Sequence, residues 1–243
     1  MQLTERIHLV GSGRGGLRLS NLLDCNVFLL DGRDESALID AGCGLEPERI
    51  VAQIESSGVD ILKLSTLLLT HAHADHAAGA KFWHDEFGLK IVCAEEAKPW
   101  IETADAQKTS FQIARDSGVY PADFEFRTCP IARGVLQNDE IQIGDIALKV
   151  LETPGHARGH LSFLLEENRA LFGGDICFAK GEISPQITWD FSTAEYSASI
   201  RKLHQLNINQ LFPGHGPPLL SHAHWDIEIA HNAFSRFKLP RYS

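Results

Sequence analysis

The chain of 243 residues lacks an excess of basic charge, a long apolar run and a recognisable leader. It has 22 Lys and Arg residues against 32 Asp and Glu residues, a formal net charge of −10. Because most of its surface repels phosphate groups, nucleic acid and anionic membranes are not expected as partners. No apolar run has the length of a membrane-spanning helix, and the first residues do not resemble a secretory signal.

The cysteines do not form a pattern typical of disulfide frameworks or zinc ribbons. They are odd in number and none is spaced as a CxxC pair; they are Cys25, Cys43, Cys93, Cys129 and Cys177. This usage indicates reduced thiols. Together with the missing secretory signal, it predicts a cytoplasmic protein.

No linker or low-complexity run divides the chain, and 44% of its residues are hydrophobic. We therefore expect one domain over residues 1–243. Residues 47–59 and 194–206 have helical apolar spacing, with Thr193 as a plausible cap of the second helix. Eight apolar segments have strand length: NVFLL, SALIDAG, STLLLT, KIVCA, IALKVLET, HLSFLL, RALFGGD and NQLFPG. Strands mixed with helices predict an α/β or α+β layered fold.

Two segments resemble each other and indicate an internal duplication. Residues 28–42 and 163–175 both read as strand, charged turn and strand, ending at or near an aspartate. In each case a helix then leads to a strand that ends in histidine. The pattern predicts two sheets packed face to face, with halves of about 1–145 and 146–243; chance similarity of two hairpins is the alternative.

A glycine-rich segment, GSGRGG at 11–16, satisfies the dinucleotide-binding pattern GxGxxG, and Asp31 follows at the usual distance. That site also needs a helix followed by a parallel strand. Here NVFLL begins almost at once, and Asp31 opens a hairpin turn. We therefore interpret the segment as a flexible loop near the functional site.

Ligand-type side chains are concentrated after the leucines of LLLTHAHADH. The cluster contains His71, His73, Asp75 and His76, which alone could be a solvated turn, a pH-sensitive patch or half of a metal site. Three further residues follow apolar strands in Gly- or Pro-rich turns: His156, Asp175 and His215. Because strand ends of one sheet edge can aim side chains at one point, the set predicts a metal site.

The chain resembles the metallo-β-lactamase superfamily, and in particular its glyoxalase II-like hydrolases, over nearly its full length. The matching motifs, in the family's order, are LIDAG, THAHADH, TPGHARGH, GGD and PGHG. The resemblance implies a four-layer αββα sandwich of two mixed sheets and two divalent ions, zinc in the first place and iron or manganese as alternatives. It assigns His71, His73 and His156 to one ion, Asp75, His76 and His215 to the other, and Asp175 to both. It also implies supporting roles behind the ligands for Asp40 and His160; a buried structural histidine is the alternative for His160.

In such a site a water bridging the two ions attacks as hydroxide, so no Ser or Cys nucleophile is needed. Asp75 is the candidate catalytic residue, because its carboxylate can orient that water or relay its proton. The expected activity is hydrolysis of an ester-type acyl bond, a thioester or a lactone, in a small-molecule substrate. The alternatives are a mononuclear iron persulfide dioxygenase, and a β-lactamase-like or phosphodiester hydrolase.

The sequence departs from its relatives in two places. Only 28 residues follow His215, too few for the helical domain that contributes to glutathione recognition in glyoxalase II. Phe178 stands where quorum-sensing lactonases have a tyrosine. Residues 178–191 are expected to form a substrate-facing loop with Phe178, Lys180 and Trp189, or else a solvated loop with a packed tryptophan. The C-terminal histidines His222, His224 and His231 have the spacing of a covering helix and are not expected to be ligands. Nothing in the sequence indicates an oligomeric state.

Overall fold

A computed structural model describes residues 1–241, in which two mixed β-sheets are flanked by helices. The first sheet has the order β1-β2-β3-β4-β5-β6, with strands Ile7–Gly11, Val27–Asp31, Ser36–Ile39, Leu64–Leu68, Lys90–Ala94 and Arg133–Val135. The second has the order β11-β10-β9-β8-β7, where β7 to β11 are Glu140–Ile143, Ile146–Glu152, Leu161–Leu165, Ala170–Gly174 and Gln210–Pro213. Strands β3 to β6 run parallel, as do β10 and β11, and the remaining neighbours are antiparallel.

Within residues 1–241, seven α-helices connect or cover the strands: α1 to α7 are Pro47–Ser56, Ala74–Ala77, Ala80–Phe87, Lys98–Glu102, Phe111–Asp116, Thr193–Gln205 and Ala223–Ser235. Helices α1 and α3 pack on the first sheet, whereas α6 packs against α7 and α7 against β11. None of the helices within residues 1–241 is both long and apolar enough to cross a bilayer.

The second sheet buries both of its faces, because alternate residues of a strand point to opposite sides. One face joins the core shared with the first sheet through Val150, Phe163, Phe172 and Phe212. The other face packs under α6 and α7 through Leu151, Leu164, Leu171 and Leu211. The αββα layering expected from the sequence is therefore confirmed.

An aromatic contact joins the two sheets directly. Phe28 of β2 lies with its ring centroid 5.8 Å from that of Phe172 and 5.5 Å from that of Phe212. The rings of Phe172 and Phe212 stack at 5.1 Å on neighbouring strands. All three side chains are at most 2% exposed, so they form a dry link between the layers.

All eight segments predicted as strands contribute to strands, but the sequence missed elements between residues 95 and 145. Strand β6 has three residues and β7 four, and helices α4 and α5 have five and six. Elements this short contain too few residues to show a period. The cap expected at Thr193 was wrong by one position: Thr193 begins α6, and the Ser192 side chain accepts the N–H of Glu195.

The glycine-rich segment forms a loop between β1 and β2, which pair antiparallel, and no helix intervenes. This topology does not match a dinucleotide-binding unit. The hairpin β2–β3 is followed by α1 and the parallel strand β4, and the hairpin β9–β10 by α6 and the parallel strand β11. This repeated order agrees with the predicted duplication, which stays a prediction.

Replacing Phe172 with alanine is expected to lower the free energy of unfolding by about 3–5 kcal/mol, because it empties space between the sheets that backbone shifts cannot refill. Urea denaturation followed by circular dichroism measures the change. Phe237→Ala is the control: that ring is 100% exposed, so the free energy of unfolding should change by less than about 0.5 kcal/mol. Equal effects of the two variants would contradict the assigned packing.

Candidate metal centre

The seven ligand-type side chains lie together at one edge of the sandwich. His71 and His73 follow β4 and lead into α2, which carries Asp75 and His76. The other three follow strands of the second sheet: His156 comes after β8, Asp175 after β10 and His215 after β11. The rigid strand ends therefore bring residues far apart in sequence to one place.

Three histidines form the first group. Ligand atoms of His71, His73 and His156 all lie within 4.8 Å of one another. His156 Nδ1 donates to the carbonyl oxygen of Ser184 at 3.0 Å, and His73 Nε2 donates to Asp190 Oδ2 at 3.1 Å. In neutral rings, the second nitrogens, His156 Nε2 and His73 Nδ1, then carry lone pairs, and they face each other at 3.1 Å.

The second group consists of Asp75, His76 and His215, whose ligand atoms also lie within 4.8 Å of one another. Asp75 Oδ2 is 3.1 Å from His215 Nε2 and 3.6 Å from His76 Nε2. The Asp75 and His215 side chains are 24% and 32% exposed, whereas those of His76 and Asp175 are 0% and 4% exposed. The second group is therefore the side of the centre that solvent and a substrate can reach.

Asp175 lies between the two groups. Its Oδ2 is 3.5 Å from Nε2 of His156, in the first group, and 3.5 Å from Nε2 of His215, in the second. Its Oδ1 is 3.5 Å from Nε2 of His76. A single carboxylate thus reaches ligand atoms of both groups.

The donor set fits divalent cations. His71 Nε2, His76 Nε2 and Asp175 Oδ1 are buried and have no hydrogen-bond partner among residues 1–241. Buried polar atoms without partners are costly, and facing lone pairs repel each other, so a cation would satisfy both. Imidazole nitrogens and carboxylate oxygens are common ligands of zinc, iron and manganese.

The protonation states of Asp75, Asp175 and His71 also favour a cation. Burial alone would raise the pKa of the Asp75 carboxyl, but His76 and His215 outweigh it and lower the pKa to about 2. At Asp175, burial is likewise outweighed by His215, His76 and His156, which hold the pKa of its carboxyl well below the usual range. Burial, reinforced by neighbouring imidazoles, puts the pKa of His71 well below its usual value, so that ring is neutral at pH 7.

The structure places Asp40 behind His76, as the resemblance implies. Asp40 Oδ2 accepts a hydrogen bond from His76 Nδ1 at 2.8 Å, and Asp40 Oδ1 accepts the N–H of Thr70 at 2.8 Å. The bond from Nδ1 fixes the tautomer of His76, and its Nε2 faces the carboxylates of Asp75 and Asp175. Asp40 has a φ of 64°, in the tight turn after β3.

His160 supports the turn that carries Asp175. Its Nε2 accepts the backbone N–H of Asp175 at 3.1 Å, and its Nδ1 donates to Thr153 Oγ1 at 2.9 Å. The Tyr196 hydroxyl donates to the Asp175 carbonyl at 2.6 Å. Both ring nitrogens of His160 are thereby engaged, so it positions Asp175 and is not itself a ligand.

The sequence analysis missed Asp190. Its Oδ2 accepts from His73, 117 residues away, and its Oδ1 accepts from Ser110 Oγ at 2.9 Å. Burial would raise the pKa of Asp190, but the hydrogen bonds from His73 and Ser110 outweigh it and lower the pKa to about 2. No spacing rule connects it with the histidine motif, because the pairing exists only in the folded chain.

The glycine-rich loop lies beside the centre, as expected. The Gly15 carbonyl accepts the N–H of Gly216 at 2.8 Å, and Asn26 Nδ2 donates to the carbonyls of Pro213 and Gly216 at 2.9 Å. These bonds hold the turn that presents His215. A side chain at Gly214 would place a Cβ 2.2 Å from Asp175 Oδ1, so this turn requires glycine.

One cavity adjoins the centre, and a second cavity lies beside the first. The inner cavity, of about 370 Å³, begins at His73 and Asp75 and is walled by residues 109–120 and 186–188. The outer cavity, of about 480 Å³, is lined by residues 106–108, parts of α5 and Trp189. Both are lined in part by Ser110 and Ile113, so the two cavities are neighbours.

The three residues predicted for the substrate loop are placed differently. Phe178 is buried, with its ring centroid 6.3 Å from that of His215. Trp189 lines the outer cavity and packs on Trp100 with centroids 5.6 Å apart. Lys180 is exposed, its backbone N–H bonds Asp226 of α7, and it lines neither cavity.

The C-terminal histidines lie apart from the centre. His222 precedes α7, and His224 and His231 belong to it. Within residues 1–241, none of them joins a group of three metal-type ligands. The prediction of a covering helix agrees with this placement.

The chain is similar to proteins of known families. It is 28% identical over 223 residues to a probable metallo-hydrolase, YqjP, of Bacillus subtilis, covering 82% of this chain and 69% of that protein. It is 31% identical over 196 residues to the hydroxyacylglutathione hydrolase GloC of Haemophilus influenzae, covering 78% and 84%. It is 25% identical over 211 residues to an atrochrysone carboxyl ACP thioesterase of Aspergillus fumigatus, covering 86% of this chain and 55% of that longer protein.

A solved structure shares the fold of this chain. The metallo-beta-lactamase family protein TTHA1429 of Thermus thermophilus superposes with a TM-score of 0.74 at 23% identity, over 97% of this chain and 81% of that chain. Residues 20–215 match the family model described as the metallo-beta-lactamase superfamily. That span contains all seven ligand-type residues of the centre, and the chain belongs to the metallo-β-lactamase superfamily.

Proposed function

We propose that the protein is a dinuclear metal-dependent hydrolase that opens a thioester or lactone bond of a small metabolite. The observation that carries the proposal is the position of Asp175 between two separate groups of ligands, within 3.5 Å of nitrogens from both. One carboxylate so placed suits a pair of ions, which typically lie about 3.5–4 Å apart.

His71, His73 and His156 would hold one ion, Asp75, His76 and His215 the other, and Asp175 would contact both. Bound ions would supply Lewis acidity and a water whose pKa is lowered towards about 7. The donor set is compatible with zinc, which we propose first, and with iron or manganese.

Asp75 is the proposed catalytic residue. Its carboxylate lies on the wall of the inner cavity and is ionised at neutral pH. It can therefore orient an attacking water and accept its proton. In a thioester the water oxygen adds to the acyl carbon, the carbon–sulfur bond breaks, and the departing sulfur takes up a proton; a lactone opens in the same way at its ring oxygen.

The choice of an acyl bond is supported by relatives. One of them is a hydroxyacylglutathione hydrolase and another a thioesterase, and both names describe cleavage at an acyl group bound to sulfur. A substrate can approach Asp75, in the more exposed second group, through the inner cavity. Thioesters and lactones are the first substrates to test.

Elemental analysis of the protein purified without added metal or chelator is expected to give about two divalent ions per chain, mostly zinc. Inductively coupled plasma mass spectrometry measures the ratio. One iron per chain would contradict the dinuclear scheme and support a persulfide dioxygenase, which oxygen consumption with a persulfide would then test.

Asp75→Ala is expected to lower kcat/KM for the best thioester or lactone by about 10²–10⁴-fold, because the group that orients the water and accepts its proton is lost. Circular dichroism should show an unchanged fold. The matched control is His231→Ala, on α7, which should hydrolyse at the parent rate. Near-normal turnover by Asp75→Ala would refute the mechanism.

Asp190→Asn is expected to weaken metal retention by about 10–100-fold, since supporting bonds to ligand histidines typically contribute that much. Titration with a competing chelator gives the apparent metal affinity. Asp116→Asn is the control: this carboxylate bonds the Gln112 side chain at 2.8 Å at the outer cavity. An affinity equal to that of the parent protein would show that the His73–Asp190 bond does not support the site.

A further inference from the structure

We infer that the substrate carries an apolar acyl chain, held in the inner cavity next to the reacting bond. The inference rests on the proposed hydrolase function and names the class of substrate. It follows from the cavity's walls, from the groups at its mouth, and from the distribution of charge along it.

The cavity walls are mainly apolar. Phe111, Ile113, Ala114, Val119 and Ile187 line the space that starts at Asp75. Concave, mainly apolar pockets beside a few polar groups are the usual form of small-molecule sites. The acyl carbon must lie near Asp75 to be attacked, so the group attached to it extends along this wall.

Apolar side chains are also exposed at the cavity mouth. Ile113 is 42%, Val119 50% and Ile187 95% exposed. They come from two separate segments of the chain, yet all three line the same cavity. Burying them against an alkyl chain would release about 0.8 kcal/mol per methylene group that leaves water.

The charge of the cavity argues against an anionic or strongly polar acyl group. The ionisable residues among its lining are His73, Asp75 and Tyr120, with no Lys or Arg. Along the wall beyond the metal centre, a carboxylate at the end of the acyl chain would find no cationic side chain to pair with. The cavity therefore favours a neutral chain over a charged one.

Five hydroxyls line the wall, those of Thr109, Ser110, Ser117, Tyr120 and Thr188; two of them are engaged with the protein, and Thr188 Oγ1 is buried without a hydrogen-bond partner among residues 1–241. Ser110 Oγ donates to Asp190 at 2.9 Å, and Thr109 Oγ1 donates to the carbonyl of Asp105 at 2.8 Å. Burial, together with the negative charge of Asp75, raises the pKa of Tyr120, so its hydroxyl stays protonated. Tyr120 is thus a neutral wall residue that can donate one hydrogen bond near the centre.

The outer cavity gives the chain room to extend. It continues from Ile113 to Trp189, whose indole packs on Trp100. Lys108 Nζ lies 4.2 Å from the Trp189 ring centroid. An acyl chain that passes Ile113 therefore meets a further aromatic surface before it reaches solvent.

The first test measures kcat/KM of the metal-loaded protein for thioesters of one neutral thiol, N-acetylcysteamine, with acetyl, butyryl, hexanoyl and octanoyl groups. We expect kcat/KM to rise about three- to fourfold per methylene group until the cavities are filled. A succinyl thioester, with a charged chain, should react more slowly than the butyryl thioester. A flat series, or a preference for succinyl, would overturn the inference.

The second test places a charge on the wall. Ile113→Asp should abolish the dependence of kcat/KM on acyl chain length. The matched control is Ile229→Asp on α7, where the isoleucine is 53% exposed and lines neither cavity. If both variants keep the parent dependence, the chain lies elsewhere and the inference is wrong.

A binding measurement separates this inference from the proposed function. Amide isosteres of the same series, in which NH replaces the thioester sulfur, are titrated into the parent protein and both variants by isothermal titration calorimetry. Failure to hydrolyse any thioester or lactone would refute the hydrolase, whereas the dissociation constants still test the cavity. Constants that fall with chain length in the parent and in Ile229→Asp, but not in Ile113→Asp, support it; equal constants throughout overturn it.

Discussion

The structure depends on a concentration of lone pairs and negative charge in a place that water hardly reaches. Two ring nitrogens, of His73 and His156, face each other at 3.1 Å, and the buried Asp175 carboxylate stands between two groups of imidazoles. Without a cation such an arrangement is unfavourable, because like partial charges repel and buried polar atoms lack partners. Much of the surrounding architecture serves to keep these atoms where they are.

A second set of residues, which lies behind the ligands, holds the ligand side chains in position. Asp40 fixes His76, Asp190 fixes His73, and His160 fixes the backbone of Asp175. Asp40 and Asp190 each accept a hydrogen bond from the ring nitrogen that faces away from the centre, so the other nitrogen of that ring faces it. His160 accepts the backbone N–H of Asp175 and so fixes the turn that carries this carboxylate. Gly214 contributes by having no side chain, since a Cβ at this position would lie 2.2 Å from Asp175 Oδ1.

The sequence predicts much of this because the relevant signals are local. Strands β3, β4, β10 and β11 are apolar runs that end in Gly or Pro or are soon followed by Asp or His, and the motif from His71 to His76 contains four candidate ligands within six positions. What it does not predict depends on contacts distant in sequence. Asp190 meets His73 only after folding, and much of the inner cavity wall comes from residues 109–120, where the elements are short. Lys180 was assigned to the site from its neighbours in sequence, although its backbone bonds Asp226 of α7.

The ligands come from both layers of the sandwich: four follow β4 of the first sheet, and three follow strands of the second. An ion held by His71 and His156 at once would be a cross-link between the sheets, acting at their rim as the Phe28 contacts act in their interior. Fraying of one sheet would then not release the ion, because the ion could dissociate only if the edges of the two sheets separated. By mass action, the free energy of metal binding adds to the free energy of folding. The concentration of free metal would therefore set the stability of the folded chain.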